Sequence, residues 1–238
     1  MKDDFFDVLC EGASKFGVSL SSSQQDKFKI YKDLLKEWNK KINLTSITDD
    51  VMISMKHFVD SVSICPYINK KNVTLIDIGT GAGFPSLPVK IVRDDIKVVL
   101  LDSLEKRTKF LEEVVKVLGL DGVDIVHARA EDKGVDISFR EKFDYACARA
   151  VAALPVLLEY CMPFVKVGGV FIAMKGSSVD EIDQSKRALG ILGGRIVDVK
   201  EFCLPGFDYK RSVILVEKIK ETPNRYPRKA GKPSKVPL

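Results

Sequence analysis

The residues best placed by type and spacing to do chemistry run together as Asp77-Ile78-Gly79-Thr80-Gly81-Ala82-Gly83-Phe84-Pro85. The apolar pair Leu75-Ile76 leads into a carboxylate, and three alternate glycines lead out into a stretch of helical period, which is the order strand, tight turn, helix start. Without a Cβ, the backbone there can take positive φ and a bulky ligand can lie almost on the main chain. Pro85 and Pro88 suit a first helical turn, where backbone donors are free. Dinucleotide loops carry G-x-G-x-x-G and seat a pyrophosphate on the helix N-terminus. Here the spacing is G-x-G-x-G, and Asp77 stands two residues before the first glycine. That carboxylate would repel a pyrophosphate and suits a ligand carrying an ammonium and a sulfonium, such as S-adenosylmethionine. A turn that merely packs strand against helix needs the same glycines, so the surrounding elements must decide.

From Val73 onward strands and helices alternate, which predicts a doubly wound, Rossmann-like α/β sheet of mostly parallel strands. Strands are expected at 73–78, 97–101, 123–127, 143–148 and 170–175, with the turn Gly168-Gly169 before the fifth and a polar helix from Val179 to Leu192 after it. The final pair, 195–202 and 212–218, is joined by too short a link for a helical crossover, so the last strand must be antiparallel. Such a terminal hairpin marks methyltransferases of the S-adenosylmethionine class (class I) rather than most dinucleotide binders. Asp102, ending strand two, falls where this fold puts the carboxylate for ribose hydroxyls; capping the next helix is its other reading, and both can hold. Ala130 and Glu131 follow strand three, within reach of an adenine ring, and Arg149 ends strand four, where its charge needs a partner. His57 and His127 invite a catalytic role, although a core or capping role fits each as well.

Residues 1–70 read as a helical extension: a helix over 4–17, a longer one after Ser21 with Phe28, Tyr31, Leu34, Leu35, Trp38 and Ile42 on one face, and a third from Asp49 or Asp50 to Tyr67. The methyltransferase domain spans 71–220 and a basic tail 221–238. No apolar run reaches bilayer length, and the N-terminus, with Asp3 and Asp4, lacks a signal-peptide layout, so a cytoplasmic location is expected. Five scattered cysteines suggest reduced core residues and no zinc site. The net charge of +5 resides in the tail, where 218–235 holds seven basic residues against Glu221 alone. Punctuated by proline, that segment reads either as an extended arm on a polyanion or as a solvated tail.

Several segments together resemble one family: Trp38-Asn39-Lys40-Lys41-Ile42-Asn43-Leu44-Thr45, His57-Phe58-Val59-Asp60-Ser61, the glycine loop, Arg129-Ala130-Glu131, Arg149-Ala150-Val151-Ala152, Met174-Lys175-Gly176, and Arg225 to Pro233. They are similar, in order and spacing, to the bacterial small-subunit ribosomal RNA methyltransferase G family, also called glucose-inhibited division protein B. The resemblance implies methyl transfer from S-adenosylmethionine to N7 of one guanosine of 16S ribosomal RNA, acting on the RNA or the small subunit. It carries the cofactor contacts to Gly79, Phe84, Ala130, Glu131 and Arg149; Asp77 and Asp102 join them on physical grounds. Asn39, Asn43, His57, Asp60 and Lys175 then face RNA or else terminate helices and bond between them. No metal and no catalytic acid or base is expected, and a monomer is. With the tail as an RNA arm, its removal should leave cofactor affinity nearly unchanged. A methyltransferase for a small molecule or a protein is the alternative reading.

Overall fold

The computed structural model describes residues 4–149, 152–176 and 180–238 of the 238-residue chain. Asp3, Ala150, Val151 and Val179, the expected start of the polar helix, lie outside the described residues.

The chain opens with α1 (Phe5–Ser14), capped by Asp4, and α2 (Ser22–Asn39), opened by a capping box in which Ser21 and Gln24 satisfy each other's backbone donors. Asn39 ends α2 by clamping the following loop: its Oδ1 accepts the Leu44 and Thr45 N–H groups at 2.9 Å and its Nδ2 donates to the Thr45 carbonyl at 2.8 Å. Ile42 therefore lies beyond the helix, though it still packs on the same core. The expected third helix is divided into α3 (Asp50–Ile53), a π-helical turn (Ser54–Val59) and α4 (Asp60–Val62), followed by a 3₁₀ turn at Cys65–Tyr67. Periodicity does not reveal a π turn, and such widened turns often accompany functional sites. This one carries Lys56 and His57.

Alternation then follows: β1 (Thr74–Ile78), α5 (Ser86–Val92), β2 (Lys97–Asp102), α6 (Glu105–Leu118), β3 (Val123–His127), α7 (Ala130–Lys133), β4 (Phe143–Arg149), α8 (Leu154–Cys161), β5 (Val165–Lys175), α9 (Asp180–Gln184), α10 (Lys186–Leu192), β6 (Gly194–Cys203), β7 (Lys210–Lys218) and α11 (Lys232–Lys235). The strand order is β3-β2-β1-β4-β5-β7-β6, and β7 runs antiparallel to both its neighbours. This is the doubly wound sheet with a terminal hairpin that the alternation predicted. Leu75, Val98, Leu100 and Cys147 face a core shared with α1, α2, α5 and α6, whereas Ile76, Leu101, Ala146 and Ala148 face one shared with α8 and α10. The first core runs unbroken from the N-terminal helices to the glycine loop: Tyr31 stacks on Phe84 at 5.4 Å and donates its hydroxyl to the Ala82 carbonyl. No helix among the described residues is long and apolar enough to cross a membrane.

Four local expectations are corrected. Gly168 and Gly169 lie inside β5, where pairing with β4 jumps from Phe143↔Val165 to Tyr145↔Val170, so they form an irregularity within a strand and not a turn before it. The polar helix breaks between α9 and α10 at Ser185, whose Oγ bonds the Glu181 carbonyl. Cys203 is exposed, unlike the buried Cys65, Cys147 and Cys161. The tail is no extended arm: Arg228 grips the fully buried Glu159 through Nε and Nη2, at 2.8 and 2.5 Å, and bonds it again through its own N–H. Its entry is pinned by Lys218, also fully buried, whose ammonium meets the Met162 carbonyl at 2.6 Å and Glu141 at 2.9 Å. The sequence shows the tail's cations but not these buried carboxylate and carbonyl partners.

Two glycines of the loop differ in what forbids a side chain. At Gly83 (φ +90°) a Cβ would stand 2.5 Å from Tyr31 Oη and 2.6 Å from Leu87 Cδ1, whereas at Gly81 (φ +62°) the nearest atom is 4.0 Å away. Gly83→Ala should therefore cost about 3 kcal/mol or more, adding steric overlap to backbone strain, and Gly81→Ala only about 1 kcal/mol. Denaturation midpoints measure both; equal losses would show that the backbone conformation alone sets the cost.

Candidate functional site

Strand order reverses between β1 and β4, and in such sheets ligands bind over the carboxyl ends of the strands at that divide. Two cavities occupy this edge. The first, of about 210 Å³, lies over the ends of β1, β2 and β3 and is lined by Gly79, Asp102, Ser103, Ala128, Ala130 and Glu131, among others. The second, of about 320 Å³, lies over the ends of β4 and β5 and the start of β7; its walls include Ile47, Lys56, His57, Asp60, Arg149, Met174, Lys175 and Arg211.

Asp77 sits fully buried beneath the loop. Its Oδ2 accepts the Thr80 hydroxyl at 2.9 Å and the Ser86 N–H at 3.2 Å, tying both ends of the turn to the end of β1. Its Oδ1, equally buried, has no hydrogen-bond partner among the described residues. Burial pushes its carboxyl up to about 7, against the pull of the Thr80 and Ser86 hydrogen bonds. Asp102 anchors the loop from the neighbouring strand: Oδ2 accepts the Gly81 N–H and Oδ1 the Leu104 N–H, each at 2.9 Å. The expected helix cap does not form, since Leu104 is the N-cap residue of α6 and no side chain caps its first turn; Asp102 holds instead the Leu104 N–H through one oxygen and the loop through the other.

A second network encloses the other cavity. Arg149 donates to Asp60 Oδ2 at 3.0 Å and to the Lys56 carbonyl at 3.2 Å, and Arg211 takes Asp60 Oδ1 at 2.9 Å, so one buried carboxylate holds two guanidiniums. His57 stacks on Phe84 at 4.6 Å, with Nε2 at 2.8 Å from Thr45 Oγ1 and Nδ1 at 3.4 Å from Arg149 Nη2. Burial, then the Arg149 charge, lowers its pKa to about 3. Since Nδ1 faces a cationic donor, the proton of the neutral ring belongs on Nε2. Lys56 rests its ammonium 3.8 Å from the Tyr209 ring centre, and Lys175 pairs with Glu181 at 2.9 Å.

Of the residues selected from sequence, Gly79, Asp102, Ala130 and Glu131 meet in the first cavity, and Asp77 lies under its floor loop. Arg149 lines the second cavity instead. Phe84 is buried between Tyr31 and His57, with the Arg149 guanidinium 5.0 Å from its ring centre, so it supports the edge from below. In the polar set, Asn39 is spent on its loop, while His57, Asp60 and Lys175 border the second cavity. His127 caps the Ser103 carbonyl at 3.1 Å. Tyr160, Gly231 and Ser234 complete the first cavity without any local signal, since tertiary docking brings them there. Arg211 did carry one: in an antiparallel last strand, the first residues return to the carboxyl edge of the others.

Comparison with known proteins follows the same lines. The family model described as rRNA small subunit methyltransferase G matches residues 24–210. A ribosomal RNA small subunit methyltransferase G of Acetivibrio thermocellus is 64% identical over 97% of this chain and 96% of its own. Among solved structures, a SAM-dependent methyltransferase from Aquifex aeolicus shares the fold with a TM-score of 0.54 at 18% identity, covering 77% of this chain and 98% of its own. M. jannaschii TYW2, solved in complex with AdoMet, does so with a TM-score of 0.51 at 17% identity, covering 64% and 72%. The likeness to these two is one of fold, but the sequence matches span the glycine loop, both carboxylates and the cationic cavity alike, and by them the chain belongs to the rRNA small subunit methyltransferase G family.

Proposed function

We propose that the chain transfers a methyl group from S-adenosylmethionine to N7 of one guanosine of 16S ribosomal RNA, in the cytoplasm. The observation that carries this reading is the pair of neighbouring cavities on one sheet edge, the first built on carboxylates and the second on cations. The residues of the first fit the cofactor. The Asp77 oxygen without a partner among the described residues would be held ionised by a nearby ammonium; Asp102 Oδ2 is taken by the Gly81 N–H and the Arg107 guanidinium, and Oδ1, which accepts only the Leu104 N–H, keeps a lone pair for a ribose hydroxyl. Ala130 and Glu131 stand at the end of β3, where an adenine would lie, and Gly79 lets the backbone approach. When bound, S-adenosylmethionine supplies a methyl carbon on a positively charged sulfur.

The protein's share of the chemistry is placement. Guanine N7 carries a lone pair and no proton, so no side chain has to remove one, and none is assigned as acid or base. His57, neutral and bonded to Thr45, serves to hold Arg149 and the Phe84 ring in place. Rate then comes from aligning nucleophile, carbon and sulfur at near contact. Guanine N7 lies in the deep A-form groove, out of reach of side chains, so the base must be unstacked. Ile47 and Met174 give the second cavity apolar walls for it, while Lys56, Arg149, Lys175 and Arg211 suit the adjoining phosphates.

Incubation with methyl-labelled S-adenosylmethionine and either 16S RNA or small subunits, followed by mapping, should yield one 7-methylguanosine. A different base, or turnover without RNA, would overturn the reading. Because folding lifts the Asp77 carboxyl from 3.8 to about 7, the protonated form favours the fold; ligand-free stability should fall as pH rises through that window, and cofactor affinity should rise toward its upper end. Asp77→Asn should flatten both profiles and weaken S-adenosylmethionine binding at pH 8 by about tenfold, checked by calorimetry and by unfolding at several pH values. Lys56→Ala should weaken RNA binding, reduce the slope of log K against log salt by about one, and leave cofactor affinity unchanged, as filter binding across a salt series would reveal.

A further inference from the structure

The C-terminal segment packs against the first cavity. Gly231 and Ser234 are part of its lining, together with Tyr160 of α8. The Gly231 N–H donates to Glu131 Oε1 at 3.0 Å, so a tail amide and an α7 carboxylate form one continuous wall. The anchor upstream is firm: Arg228 is locked on Glu159, one residue before Tyr160, and its Nη2 also reaches the Val236 carbonyl at 2.8 Å, which folds the segment back on itself. Pro227 packs so closely that a Cβ on Gly134, at the end of α7, would stand 2.8 Å from its ring. Lys229, Lys232 and Lys235 are exposed.

We infer that residues 231–234 are part of the cofactor site itself, closing it over the nucleoside end, and act as positioning residues for the methyl donor. The inference rests on the reading of the first cavity as the S-adenosylmethionine site. The nucleoside end is singled out because the segment bonds Glu131, at the end of β3, which is the part of the cavity farthest from the β1–β4 divide and from the second cavity. A basic tail whose whole role is RNA binding would have no reason to spend a backbone amide on a cavity carboxylate. This also reverses the simplest expectation for a charged tail, since removing it should open the cofactor site as well as weaken RNA binding.

The test compares the full chain with a chain ending at Ala230, which keeps Arg228 on Glu159, and with Ser234→Trp, which would project an indole into the cavity. Calorimetry with S-adenosylhomocysteine and, separately, with adenosine gives the affinities, and thermal unfolding without ligand reports the fold. The shortened chain should bind both probes at least tenfold more weakly, by the same factor, with a ligand-free unfolding temperature near that of the full chain. Steady-state rates should show a raised KM for the donor at little changed kcat. Ser234→Trp should lose adenosine binding while retaining its fold. Binding of both probes within twofold of the full chain, in either folded variant, would overturn the inference. Should the shortened chain not fold, Ser234→Trp decides alone. A full chain that binds neither probe would instead refute the assignment of the first cavity, a distinct outcome.

Discussion

Asp77 is a carboxylate taken wholly out of water at the point where the sheet's strand order reverses, and the catalytic edge is arranged around that burial. An isolated buried charge is costly, so the group must be bonded, neutralised or matched by an opposite charge. One oxygen is bonded, to both ends of the glycine turn, and this fixes the path of the loop. The other has no hydrogen-bond partner among the described residues, and burial pushes the carboxyl up to about 7. A single side chain thus shapes the loop through one oxygen while its second stays buried without a partner among the described residues.

The same economy is visible across the divide. Asp60 holds Arg149 and Arg211 in place, and the aromatic series Tyr31, Phe84 and His57 lies beneath them, continuous with the N-terminal helices. The helical extension is therefore a foundation for the second cavity as much as a cover for the sheet. Its contribution is stiffness: a ring stack and a buried ion network have few alternative arrangements, and precise placement is what a proton-free methyl transfer requires.

The parts of this arrangement that could be read from sequence are those written in consecutive residues. The ends of β1, β2, β3 and β4, near Asp77, Asp102, His127 and Arg149, follow from short apolar runs stopped by polar residues, and the antiparallel last strand follows from the length of the link before it. What escaped was written in distant ones. The π turn that presents Lys56 and His57 breaks helical period without a proline or glycine to mark it. The docking of Arg228 on Glu159 and of Gly231 on Glu131 pairs residues 69 and 100 positions apart. Composition showed a basic tail correctly, yet charge alone could not distinguish cations that face solvent from Lys218 and Arg228, which are held on the carboxylates of Glu141 and Glu159.

The pairing of β5 with β7 runs without slippage from Val170↔Glu217 to Lys175↔Ser212, whereas that of β6 with β7 is interrupted between Ile196 and Asp198. Side chains alternate between the faces of a sheet, so a slip of one residue in β7 would exchange Arg211 with Ser212 and turn the guanidinium away from Asp60. The extra residue, Val197, is absorbed in the outermost strand, none of whose residues lines either cavity. Insertions and deletions should consequently be tolerated in β6 and excluded from β7, making the sheet's rim the place where the protein can vary in length without retuning its own electrostatics.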